Sequence, residues 1–121
     1  TPATLIEVVD GETAWFRVEG EKILVRFEGI DAPDLEDRGQ GQWCPEEGVK
    51  ALEARDFVIR TLNRAKEILT DLEDKKRERI ILTGVYADGL SVGQELLYKY
   101  LAVEEDSGHA DWCRKSVLSS D

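Results

Sequence analysis

Residues 25–34 read VRFEGIDAPD and join an apolar strand pattern to two carboxylates. Apolar residues alternate with Arg26 in this pattern, so we expect the arginine on the more polar face of a strand. Asp31 and Asp34 follow, and carboxylates serve as hard oxygen ligands or as bases. A guanidinium can bind two oxygens of a phosphate at once. Two interpretations stay open at this point: a metal-assisted phosphate-ester site, or an acidic loop leaving a strand.

The composition limits the class of protein. A chain of 121 residues with 41% hydrophobic content has the length of one domain with one core. Its formal charge of -10 argues against a surface built for general nucleic-acid binding, so any phosphate site must be local. No apolar run approaches the ~18 residues of a membrane span, and we expect a soluble protein without a membrane partner. Because the chain contains no Met, we expect a processed precursor or an excised domain.

Alternation of apolar and polar residues predicts three strands in the first part of the chain. The first two, over 5–9 and 13–18, are joined by a turn at Asp10-Gly11, and the third covers 23–30. A polar loop follows up to Trp43, and Pro45 is a good helix start. The predicted helix has one apolar stripe, made of Ala51, Ala54, Val58, Leu62 and Ala65.

Two further strands are predicted over 68–72 and 80–86, separated by a charged run. Ser91 with Gln94 forms a capping box for a short helix, whose predicted core residues are Leu96, Leu97 and Leu101. This order predicts an α+β, mainly β fold: a five-stranded OB-type barrel with a helix between strands 3 and 4 and a further C-terminal helix. We expect one domain over 1–103, with 104–121 as an irregular tail packed on it.

The two cysteines, Cys44 and Cys113, each follow a tryptophan. Two cysteines and a single histidine, His109, make a poor zinc set, and His109 is interpreted as a surface residue. Two buried free thiols and a disulfide both remain open. A disulfide would favour a secreted or periplasmic protein, because such bonds persist in oxidising compartments.

Two motifs in order along the chain resemble those of the staphylococcal-nuclease-like family, the thermonucleases. Residues 8–13 read VVDGET, similar to the family's V-x-D-G-D-T, and 25–34 is similar to its V-R-L-x-G-I-D-T-P-E. Residues 85–89, VYADG, with 92–101 resemble the hairpin and helix after the family's second active-site arginine. A subgroup of the family also has the two cysteines found here at Cys44 and Cys113.

The resemblance implies a calcium-dependent phosphodiesterase that cleaves single-stranded DNA or RNA and leaves 3′-phosphate ends. By position, the two metal carboxylates fall on Glu12 and Asp31, and the backbone carbonyl that binds the metal falls on Ala32. The phosphate-binding arginine falls on Arg26, and the general base that activates water falls on Asp34. The cofactor implied is Ca²⁺ and the partner is single-stranded nucleic acid, with no obligate protein partner inferred.

Three positions differ from the family. Glu12 replaces an aspartate and is one methylene longer, whereas Asp34 replaces a glutamate and is one methylene shorter, which changes the reach of a ligand and of a base. The family's second arginine lies in a Y-G-R segment, where 76–80 here reads KRERI. Counting without a gap puts that position on Ile80, and a one-residue insertion or bulge puts it on Arg79, the position we prefer.

Lys75, Lys76 and Arg77 form the densest basic run of the chain. A phosphate contact and a solvated loop are both compatible with this run.

Three functional hypotheses follow. The first is a metal-dependent endonuclease of the thermonuclease type, with activity that is weak and sensitive to salt because the protein is acidic. The alternative is a catalytically impaired OB-type module that binds a protein or an oligonucleotide. The third is a metal-binding fold with no role in nucleic-acid chemistry.

Overall fold

A computed structural model describes residues 1–39, 42–72, 80–107 and 111–113 of the chain. These residues form an α+β fold that consists mainly of short strands, with two α-helices. The elements in chain order are β1 Thr4–Val8, β2 Thr13–Val18, β3 Glu21–Phe27, β4 Ile30–Asp31, α1 Pro45–Arg64, β5 Ile68–Thr70, β6 Ile80–Thr83, β7 Val85–Ala87, β8 Leu90–Ser91, α2 Val92–Tyr98, β9 Val103–Glu104 and a 3₁₀ turn Glu105–Ser107.

The strands form three sheets. The largest has the order β1-β2-β3-β6, in which β1, β2 and β3 are antiparallel neighbours and β6 joins β3 in parallel. A second sheet has the order β5-β7-β8, and β4 pairs with β9. In the part of the chain that the structure describes, none of these sheets closes into a barrel.

Two predicted strands are divided in the structure. The strand predicted over 23–30 ends at Phe27, and β4 begins only at Ile30, after a turn in which Gly29 has a φ of 86°. The strand predicted over 80–86 is broken at Gly84, since β6 pairs with β3 whereas β7 pairs with β5. The chain therefore crosses from one sheet to another at Gly84.

Both predicted helices are present. Helix α1 begins at Pro45, and the apolar stripe is buried along its length, apart from Ala65, which is the half-buried residue after the last turn. In α2, the Ser91 hydroxyl accepts a hydrogen bond from the Gln94 N–H at 3.2 Å, as the capping box predicts. Leu96 and Leu101 are buried, although Leu101 lies beyond the end of the helix.

The core lies between the inner face of the largest sheet and the two helices. Phe16 and Val25 from the sheet, Val58 from α1 and Leu96 from α2 are all fully buried. Gly11, in the turn between β1 and β2, also packs on α1, since a Cβ placed there would lie 2.7 Å from the Ala54 Cβ. The turn therefore approaches the helix so closely that a larger residue would force the two apart.

Cys44 and Cys113 form a disulfide with Cα atoms 5.7 Å apart, so the interpretation of two free thiols is wrong. The bond joins the start of α1 to the segment 111–113, across 69 positions of sequence. Among the described elements, neither helix has the length and apolar character needed to span a bilayer. Arg79 and His109 lie outside the described residues.

We expect reduction of this disulfide to lower the stability markedly, because a loop of 69 positions is then released in the unfolded chain. The chain-entropy relation gives a loss of about 4 kcal/mol in the free energy of unfolding. Urea denaturation with and without reductant measures it, and the double variant Cys44→Ser/Cys113→Ser should match the reduced wild type. Equal denaturation midpoints in all three samples would contradict this expectation.

Candidate functional site

A surface cleft of about 400 Å³ lies at one end of the largest sheet. It collects side chains from the β1–β2 turn and the start of β2, from β3, from β4 and the segment after it, and from the start of β6. The lining residues are Asp10, Glu12, Thr13, Arg26, Asp31, Asp34, Arg38 and Ile80. Every side chain that the sequence assigned to this site from residues 12–34 is therefore present in one cleft, although these residues come from separate elements.

Glu12 connects three segments of the cleft. Its Oε2 accepts a hydrogen bond from Arg26 Nε at 2.8 Å, and its Oε1 accepts one from the Ala32 N–H at 2.9 Å. The Glu12 N–H donates in turn to Asp10 Oδ1 at 2.9 Å. The carboxylate therefore fixes the β1–β2 turn against both β3 and the segment that follows β4.

The Glu12 side chain is mostly shielded from water, with 13% of its surface exposed. This burial raises the pKa of Glu12 above its usual value of 4.5. The hydrogen bond from Ala32 and the positive charge of Arg26 oppose the rise, whereas the negative charges of Asp10 and Asp31 add to it. The ion pair with Arg26 thus favours the charged form at a position where burial disfavours it.

Arg26 lies on the more polar face of β3, as the alternation predicted. While Nε bonds to Glu12, one terminal nitrogen, Nη2, lies 3.8 Å from Glu105 Oε2. The Arg26 side chain remains 38% exposed. Its guanidinium is thus oriented by a carboxylate from one side and stays accessible to an anion in the cleft.

Asp34 is held by its backbone. Its N–H donates to Glu47 Oε2 at 2.7 Å, and its carbonyl accepts from Trp43 Nε1 at 2.8 Å. The Asp34 side chain lies in the cleft, with Oδ1 at 3.4 Å from Arg38 Nε. We call Glu47 and Trp43 the Asp34 clamp, because their two bonds fix the backbone from which this carboxylate projects.

The residues that form this clamp were not predicted from the sequence. Glu47 follows Pro45 and was interpreted only as part of a helix start, yet its side chain is almost fully buried, with 2% of the residue exposed. Trp43 lies against the first turn of α1, where a Cβ on Gly48 would come within 2.8 Å of the indole Cζ2. A glycine in the first turn, five residues after a tryptophan, was the only sequence signal for this contact.

The donors in the cleft suit a calcium ion in chemical type, since Asp10, Glu12, Asp31 and Asp34 all offer hard oxygens. The predicted ligands were the side chains of Glu12 and Asp31 with the carbonyl of Ala32. Across residues 1–39, 42–72, 80–107 and 111–113, no group of three or more carboxylate, histidine or cysteine side chains is arranged to hold a metal. A calcium ion would share Glu12 with Arg26 and would take further ligands from backbone and water.

Arg79, the preferred position for the second arginine of the predicted site, lies outside the described residues, and the second arginine among the described residues that line the cleft is Arg38. Ile80 lies there, with 51% of its surface exposed, at the start of β6. This is the position that the gap-free count gave for the arginine.

A comparison of the chain with models of known protein families found no match.

The raised pKa of Glu12 predicts a specific pH dependence of stability. Because the folded protein binds this proton more tightly than the unfolded chain, the contribution of Glu12 to stability falls as the pH rises from 4.5 through the raised pKa. Glu12→Gln cannot titrate. The free energy of unfolding of the wild type, measured relative to this variant, should therefore decrease as the pH rises above 4.5 and level off once Glu12 is ionised in the folded protein. Urea denaturation at a series of pH values measures the difference, and a constant or rising difference would contradict it.

The Asp34 clamp predicts a contrast between two adjacent glutamates of α1. Glu47→Ala leaves the Asp34 N–H without its acceptor and should lower the free energy of unfolding by about 1–3 kcal/mol. Glu46→Ala removes an exposed carboxylate from the same helix turn and should change it by less than about 0.5 kcal/mol. Amide hydrogen exchange provides the second measurement. The Asp34 amide should exchange faster in Glu47→Ala alone, and equal rates in the two variants would refute the clamp.

Proposed function

We propose that this protein is a calcium-dependent phosphodiesterase that hydrolyses single-stranded DNA or RNA. The observation that carries the proposal is the joining of Arg26 with Glu12, Asp31 and Asp34 in one cleft. Arg26 is a donor for phosphate oxygens, and the carboxylates can hold a cation and accept a proton. These are the groups that a hydrolytic attack on a phosphodiester requires.

Arg26 binds the phosphate and stabilises the charge that develops on its oxygens. Its guanidinium is oriented through Nε by Glu12, and the substrate would compete only with the longer contact of 3.8 Å between Nη2 and Glu105 for the terminal nitrogens. Donors fixed in this way need no rearrangement as the charge increases, which is the usual source of electrostatic stabilisation in enzymes. Glu12 acts here as the residue that positions Arg26.

Asp34 accepts the proton of the attacking water. Its backbone is fixed by the Asp34 clamp, and its side chain lies beside Arg38 in the cleft. Such restraint matters because a base displaced by about 1 Å loses on the order of a hundredfold in rate. Asp34 is one methylene shorter than glutamate, so its carboxylate can reach fewer positions. The Asp34 clamp fixes the backbone so that this short side chain stays within reach of the attacking water.

The side chains of Glu12 and Asp31 with the carbonyl of Ala32 would hold the calcium ion. When bound, the ion supplies positive charge that polarises a phosphoryl oxygen. The chain's own residues provide the hydrogen-bond donor to the phosphate, which is Arg26, and the proton acceptor, which is Asp34. They also fix the positions of these groups in the cleft.

Two further proposals accompany this function. The meander β1-β2-β3, followed by α1 and by β6 returning to β3, supports the arrangement of an OB-type barrel. The Cys44–Cys113 disulfide supports a secreted or periplasmic location, where such bonds persist.

A second candidate function is a binding module of the same architecture without catalysis. Two observations favour it: Glu12 is already paired with Arg26, and the other arginine that lines the cleft, Arg38, is already paired with Asp34. In that case the cleft would bind a nucleic acid or another anionic partner and leave it intact.

The test is hydrolysis of denatured DNA and of RNA with calcium, and then with excess chelator. We expect cleavage that the chelator abolishes. Arg26→Lys keeps a positive charge beside Glu12 but loses the planar fork, so it should reduce kcat/KM by roughly tenfold or more. Asp34→Asn should reduce kcat by roughly 10²- to 10⁴-fold because it removes the proton acceptor.

The matched control is Asp37→Asn, an exposed carboxylate of the same loop that caps the Gly39 N–H at 2.8 Å. It should retain activity close to that of the wild type. If the wild type fails to cleave while it still binds the oligonucleotide, the binding module replaces the nuclease. If both Arg26→Lys and Asp34→Asn stay fully active, the roles given to these residues are wrong.

A further inference from the structure

The outer face of the largest sheet has a composition unlike the rest of this acidic protein. Along β2, β3 and β6 the buried side chains alternate with side chains that point away from the core. We define the outer sheet face by six of these outward residues, Trp15, Arg17, Lys22, Leu24, Ile80 and Leu82. The face therefore combines one aromatic ring, two cations and three aliphatic side chains.

The register of the sheet sets these side chains in rows. Trp15 lies opposite Leu24, and Leu24 lies opposite Ile80, which gives a row of three apolar side chains across three strands. Arg17 lies opposite Lys22 in the next row. An apolar row is thus bordered by two cations on one side.

The other border of the apolar row is the cleft. Arg26 lies opposite Thr13 and Leu82 in the row beyond, and Arg26, Thr13 and Ile80 all line the cleft. The outer sheet face and the cleft are therefore continuous, with Ile80 common to both. A chain-like ligand bound in the cleft could therefore extend over the face past Ile80.

The outer sheet face carries two cations although the formal net charge of the protein is -10. Arg17 and Lys22 lie on the face, and Arg26 lies at its border with the cleft, where Arg26 is paired with Glu12. The acidic side chain set directly across from Trp15 is Glu7 of β1. Lys22 Nζ lies 4.8 Å from the centroid of the Trp15 ring, so the ring already receives a positive group on its face.

We propose that the outer sheet face binds single-stranded nucleic acid, with a base stacked on Trp15 and the flanking phosphates on Lys22 and Arg17. Aromatic rings among cations are the usual means of binding single strands, because every base has a flat face and every linkage a negative charge. Lys22 is exposed. When a base stacks on the Trp15 ring, it displaces the Lys22 ammonium group, which then contacts a phosphate. The strand then continues past Ile80 to Arg26 in the cleft. This proposal rests on the proposed function for its choice of ligand.

The experiment measures binding in excess chelator, so that cleavage does not interfere. A fluorescein-labelled single-stranded oligonucleotide of about 12 nucleotides is titrated with protein, and anisotropy gives the Kd. We expect Trp15→Ala to raise the Kd roughly 5- to 100-fold. Trp15→Leu keeps an apolar side chain beside Leu24 and serves if the alanine variant does not fold. An unlabelled oligonucleotide should quench the tryptophan fluorescence of the wild type, and Trp15→Phe should lose most of that quenching.

Salt dependence provides the test of the cations. Lys22→Gln should reduce the slope of log K against log salt concentration by about 0.7, the value expected for one phosphate contact on a single strand. Arg64→Gln is the matched control, since it removes an exposed cation from the last turn of α1, away from the sheet face. It should leave both the Kd and the slope unchanged.

The proposal would be overturned by a wild type that does not bind the oligonucleotide, or by Trp15 variants that bind it as tightly as the wild type. Equal affinity for a duplex of the same length would also overturn the proposal, because bases that are paired and stacked inside a duplex cannot stack on Trp15. If binding depends on Trp15 but no hydrolysis occurs in the presence of calcium, the outer sheet face binds single strands as proposed and the proposed phosphodiesterase activity is refuted. Hydrolysis without Trp15-dependent binding would do the reverse.

Discussion

The carboxylate of Glu12 adds side-chain hydrogen bonds between segments of the chain that the sheet already brings near each other. It accepts hydrogen bonds from a side chain of β3 and from the backbone after β4, while it is carried on the turn between β1 and β2. That turn is in turn pressed onto α1 through Gly11, where no side chain intervenes. A buried carboxylate is costly unless its partners are close, so the three segments are restrained to one arrangement. The geometry of the cleft follows from that restraint.

The same ion pair sets a conflict within the site. Arg26 is useful to a phosphate only if it is oriented and partly free, and Glu12 is useful to a cation only if its oxygens are available. In this structure each partly satisfies the other. A substrate phosphate and a metal ion, arriving together, would compensate both charges at once. Either one alone would have to compete with an existing bond. The pairing thus favours joint binding of the two over separate binding.

Local patterns in the sequence predicted the local features of the fold. The polar position of Arg26, the start of α1 at Pro45 and the cap at Ser91 each depend on neighbours within a few residues. The break at Gly84 could not be predicted in this way, because it results from β6 and β7 joining different sheets. The buried Glu47 was missed for a similar reason, since its partner Asp34 lies in a loop 13 positions earlier.

The disulfide has a mechanical consequence. With Cys44 and Cys113 joined, tension applied at the two ends of the chain cannot extend the residues between them. Only residues 1–43 and 114–121 can lengthen, by at most about 3.6 Å for each residue. The strands β1, β2 and β3 belong to the first of these segments, whereas both helices lie within the closed loop. Under load, the force in the oxidised protein would therefore act directly on the strands that build the cleft and not on the chain inside the closed loop, whereas in a reduced protein it would act along the whole chain.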